Sequence, residues 1–99
     1  MKNYLCYTTV SGSRRHAEFD SIKHIRRPVM VGVVGQYYSI CVTGVVYTDT
    51  GETVDDTQFG LFAPNDHVMY RGKIYWFDCL DKLCMVVENE NNLAALESL

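Results

Sequence analysis

At 99 residues the chain is long enough for one domain with its own core, and 47% hydrophobic against 21% charged residues exclude a disordered polymer. A formal charge of −3 supplies no global field that would draw it to nucleic acid or to a membrane surface. No signal-peptide core opens the sequence and no apolar run approaches the roughly 18 residues of a membrane span, so an intracellular, cytoplasmic protein is expected, with Cys6, Cys41, Cys79 and Cys84 as reduced thiols.

Residues 3–10 suit a strand, with Tyr4, Cys6, Thr8 and Val10 on one side and Leu5, Tyr7 and Thr9 on the other. Ser11-Gly12-Ser13 is a turn cluster. Arg14 to Arg27 reads two ways. Phe19, Ile22 and Ile25 recur at a spacing of three, as on one stripe of a helix, while residues 14–19 also suit a strand returning from the turn. The reading adopted is a strand followed by a short helix near 20–26, with Asp20 or Ser13 as the cap and Pro28 as the stop.

From Val29 to Val46 the pattern is that of a hairpin with Gly35-Gln36 as a two-residue loop. Val33 then faces Tyr38, Val31 faces Ile40, and Val29 faces Val42, all on one side. Gly44 marks a bulge. Thr48 to Glu52 is a reversal, and residues 53–62 form a strand flanked by acidic Asp49, Glu52, Asp55 and Asp56.

Pro64 to Phe77 reads as a second hairpin, reversing at Arg71-Gly72. With a two-residue loop, Tyr70 pairs with Lys73, Met69 with Ile74, Val68 with Tyr75 and His67 with Trp76. One face then carries Val68, Tyr70, Tyr75 and Phe77; the other carries Met69, Ile74, Trp76 and His67. Both faces are apolar, so the ribbon is either buried on both sides or offers one side to a partner. Leu83 to Val87 follows as a last strand. A short helix from Asn91 or Asn92 carries Leu93, Leu96 and Leu99.

The segment Asp66-His67-Val68-Met69-Tyr70-Arg71-Gly72-Lys73-Ile74-Tyr75 resembles the D-x-V-x-Y-x-G-x-x-Y strand-turn-strand of small five-stranded barrels of the Src-homology or KOW type. The resemblance covers about a tenth of the chain and implies a small barrel. In those families such a hairpin belongs to a module that binds peptides or nucleic acid, but no binding residue is carried over.

Catalytic chemistry has little to stand on. There is no phosphate-cradling Gly-rich loop. A nucleophile such as Cys41 needs a base beside it, and nothing in the sequence places His16 or His67 there; a core thiol accounts for it. Cys79 and Cys84 form one loose pair where structural zinc sites show two tight ones. Neither an enzyme nor a metal or other cofactor is therefore expected. Arg14, Arg15, Lys23, Arg26 and Arg27 gather positive charge in an acidic protein, which suits either a solvated face or contacts to nucleic-acid phosphates.

The expected fold is a single mostly-β domain, an antiparallel small barrel or strongly curved sheet of five to seven strands with one or two short helices. The expected function is that of a small protein-interaction module: an adaptor, inhibitor or regulator, of the kind found among phage or mobile-element accessory proteins. Met69, Ile74, Trp76 and His67 would meet the protein partner, and a two-fold homodimer through the hairpin is the simplest way to cover their face. The alternative is nucleic-acid binding through the basic residues of 14–27.

Overall fold

The computed structural model describes residues 2–9, 11–26 and 38–98. Arg27 and the Gly35-Gln36 hairpin loop with Val29, Val31 and Val33 lie outside the described residues. Among the described residues seven strand segments form one antiparallel sheet: β1 (Asn3–Thr8), β2 (Arg14–Phe19), β3 (Ser21–Arg26), β4 (Tyr38–Tyr47), β5 (Thr53–Leu61), β6 (His67–Tyr70) and β7 (Lys73–Trp76). The one α-helix among the described residues, α1 (Leu80–Glu97), follows a 3-10 turn over Phe77–Cys79. The chain is mostly β, with the sheet curled into a half-barrel.

Strands β2 and β3 behave as two halves of one bent strand. Ala17 opposes Tyr47 and Glu18 opposes Val46, and beyond the bend at Asp20 Ser21 opposes Thr43 and Ile22 opposes Val42 without loss of register. The bend also switches faces. Ala17 and Phe19 point into the core before it, and Ile22 after it. Strand β4 switches at the same place, from Ile40 and Val42 to Val45, across Gly44. Gly44 sits at φ +62, where a residue with a Cβ is strained, and a Cβ built there would also displace the Asp20 carboxylate, so glycine suits this corner. The bulge expected at Gly44 is thus a corner that two adjacent strands turn together. Strand β5 keeps its register against β4 through the corner, from Thr43 opposite Asp56 to Val45 opposite Val54.

The helix expected over 20–26 is instead β3. Its period-three signal has a different cause: the β3–β4 register shifts between Ile22 and His24, leaving Lys23 as an extra residue. A bulge of one residue changes a strand's facing, so Ile22 and Ile25 are both buried at odd spacing. The strand expected over 83–87 is the first half of α1. Leu80, Leu83, Cys84 and Val87 are buried at the i, i+3, i+4, i+7 spacing of a helix, whereas Met85 is exposed. Asn91 does not cap this helix; inside it, its side chain donates to the carbonyl of Lys23 (3.2 Å), fixing α1 against β3.

The core lies inside the curl, built from Leu5, Ala17, Phe19, Ile40, Val42, Leu61, Val68, Tyr70 and Tyr75, and closed by the buried stripe of α1. Tyr70 donates to Glu90 (2.6 Å), and Arg71 Nε lies 2.9 Å from the same carboxylate, tying the hairpin tip to the helix. Tyr38 donates to Asp81 at the helix start (3.0 Å). Asp66, fully buried, accepts from the Thr8 hydroxyl (3.0 Å) and from the backbone N–H groups of Phe62 and Ala63 (3.1 Å each). It thereby anchors the loop from β5 to β6 onto β1. Among the described residues, no helix is long and apolar enough to cross a membrane.

Candidate functional site

The hairpin of β6 and β7 has the expected register: His67 opposes Trp76, Val68 opposes Tyr75, Met69 opposes Ile74, and Tyr70 opposes Lys73. Arg71 (φ +51) and Gly72 (φ +81) both take the left-handed backbone that a two-residue type I′ reversal requires. Its two faces have different fates. Val68, Tyr70 and Tyr75 are buried in the core beneath α1, whereas Ile74 (38% exposed) and Trp76 (46% exposed) face away from it. Met69 and His67 lie between them, half-buried.

Pairing of β6 with β1 extends this outer face. Tyr4 opposes Met69, Cys6 opposes His67, and across the next pair Cys6 opposes His16. Trp76, His67, Cys6 and His16 therefore stand in one row across four strands. The rings touch along it. His67 and Trp76 have centroids 4.6 Å apart, Tyr4 and His67 6.1 Å, and Tyr4 and His16 4.6 Å. His67 Nδ1 lies 3.1 Å from the carbonyl of Asn65, which only accepts, so this nitrogen carries the hydrogen in that bond. His16 Nδ1 lies 3.2 Å from the Thr48 hydroxyl. Both imidazoles are thus oriented.

Tyr4, Cys6 and His16 are residues that sequence reasoning did not assign to this face. The alternation in residues 3–10 put Tyr4 and Cys6 on one side of their strand, but only the β1–β6 pairing shows that this side continues the Trp76 side. Burial is the first cause pushing the Cys6 thiol above its ordinary value, Asp66 adds to it, and Arg14 opposes it. A thiol held protonated in this way is a poor nucleophile despite its two neighbouring histidines. Cys41 lies elsewhere, on β4 opposite His24 and Gln58. Among the described residues no group of three or more His, Cys, Asp or Glu side chains could hold a metal ion.

Among the described residues the basic side chains of 14–26 do not come together on one face. Arg14 donates to the carbonyl of Asn65 (3.0 Å) beside the aromatic row. Arg15 points to the opposite side of β2, where it donates to both carboxylate oxygens of Asp49 (3.2 Å each) and lies 5.1 Å from the Tyr47 ring centroid. That pairing holds the Asp49 carboxyl below its usual range. Lys23 is paired with Asp56 at the bulge, and Arg26 is exposed at the end of β3.

Comparison with family models, with curated proteins and with solved structures gave no match to this chain.

Proposed function

We propose that the protein is a small interaction module that binds a protein partner through the outer face of β1, β2, β6 and β7, acting as an adaptor, inhibitor or regulator rather than as an enzyme. One observation carries this reading: the ring row from Trp76 through His67 and Tyr4 to His16 lies on the sheet face opposite the core, with Ile74 and Trp76 at its open end. Apolar, aromatic area clustered in this way is the usual substance of interface hot spots. The sequence of this hairpin resembles the strand-turn-strand of Src-homology and KOW barrels, and that resemblance supports reading it as a binding module. Here its aromatics extend across the sheet instead of clustering in loops.

The test is capture from cells with wild-type protein and with Trp76→Ala in parallel. The variant should lose the captured protein while its melting temperature stays within about 4 °C of wild type, because an exposed side chain contributes under about 1 kcal/mol to folding. A variant that unfolds, or one that captures the same protein equally well, contradicts the reading. Nucleic-acid binding has less behind it, since two of its basic residues are already neutralised by Asp49 and Asp56. Affinity for DNA or RNA that falls steeply with salt, and falls again when Arg14 and Arg26 become Glu, would revive it.

A further inference from the structure

Among the described residues β3 and β5 each pair only with β4 and β7 only with β6, and the edges of β5 and β7 differ in character. On β5, exposed Asp55, Asp56 and Gln58 line the strand, a composition that discourages another chain from pairing there. On β7 no proline or bulge guards the edge. Its one charged residue, Lys73, folds over the ring of Tyr75, 5.4 Å from the centroid. Among the described residues β7 pairs only with β6.

Hairpin geometry determines which backbone groups this edge offers. A two-residue loop makes its flanking residues, Tyr70 and Lys73, a hydrogen-bonded pair, and the same holds two residues on for Val68 and Tyr75. The N–H and C=O groups of Ile74 and Trp76 then point away from β6, to the open side. These are also the residues whose side chains are exposed on the outer face.

We propose that β7 pairs with β7 of a second copy, antiparallel about a two-fold axis through Tyr75, joining two half-barrels into one continuous sheet. This rests on the reading of the outer face as an interaction surface and names one partner for its edge. The register is self-complementary. Ile74 exchanges two backbone hydrogen bonds with the second copy's Trp76, and Trp76 does the same with the second copy's Ile74. On the outer face each indole lies against an isoleucine. The antiparallel arrangement also brings Lys73, at the start of the strand, towards Asp78, just past the end of the other strand. A closed two-fold contact uses up the β7 edge of both copies.

Sedimentation of the purified protein from about 10 µM to about 1 mM should show a monomer–dimer equilibrium. Over that range the amides of Ile74 and Trp76 should exchange with solvent at least about tenfold more slowly as dimer forms, while those of Lys73 and Tyr75, bonded within the hairpin, are protected throughout. Ile74→Pro removes an N–H that points to the open side and has no strand partner among the described residues, so it should keep the fold and weaken association at least about tenfold. A protein that stays monomeric throughout overturns the pairing, even if it captures an extended segment of another protein. A dimer whose Ile74 and Trp76 amides stay fast, or one that survives Ile74→Pro, overturns it too, by locating the contact elsewhere, such as on exposed Leu93 and Leu96 of α1. Because wild-type amide exchange reports the register directly, the test holds even if Ile74→Pro folds poorly. Loss of the dimer alone leaves the partner-binding face standing, because Trp76→Ala capture tests that separately.

Discussion

Asp66 shows how one buried side chain supports a surface that it does not itself form. Its two oxygens satisfy a hydroxyl on β1 and two backbone N–H groups in the loop that launches β6, so the strand carrying His67 and Met69 leaves that loop at a fixed angle. Asp66→Ala should cost about 1–3 kcal/mol, lowering the melting temperature by several degrees, because it leaves those part-buried donors without their acceptor. Asp66→Asn keeps an oxygen for the two N–H groups and should cost under about 1 kcal/mol. Equal losses in the two variants would mean that charge, rather than acceptor geometry, is what the site requires. Gly44 plays a comparable part at the corner, but there the requirement is empty space and positive φ. The hairpin was fully readable at this scale: Gly72 and the apolar alternation around it fix a register that the structure reproduces pair by pair. The buried role of Asp66 was not readable, because it depends on Thr8, which is 58 residues away.

Two elements show where periodicity misleads. A spacing of three among Phe19, Ile22 and Ile25 fits a helix, yet the face switch at Asp20 and the extra residue Lys23 produce the same spacing in strands. No local signal separates the two, since the bulge is defined only against β4. In the opposite direction, Leu83-Cys84-Met85-Val86-Val87 has the β-branched, unbroken look of a buried strand. Its helical stripe becomes visible only when Leu80 is included. The two readings of this run differ in a measurable way. In a strand, Leu83, Met85 and Val87 would share a face; in α1, Met85 is exposed while Leu83 is sealed. Leu83→Ala should therefore cost about 2–4 kcal/mol in a urea titration, and Met85→Ala under about 0.5 kcal/mol. Comparable losses at both positions would contradict the helix.

Over the whole molecule, the curl of the sheet divides the chain into a wet side and a dry one. The helix closes the concave side, where Tyr70, Glu90 and Arg71 lock the hairpin tip against it, and the outer side keeps the ring row in contact with solvent. The mostly-β class could be read from turn residues and alternation in the sequence. Which aromatic face was core and which was free could not, because that depends on where the final helix docks. The central claim is that the outer face is open in the free protomer and is closed by a protein. Trp76 is the sole tryptophan, so acrylamide quenching of its fluorescence measures that face alone. In dilute protein the indole should be readily quenched, and addition of the captured partner should reduce quenching severalfold. An indole already shielded in the isolated protomer, or one quenched equally with and without the partner, would contradict the account.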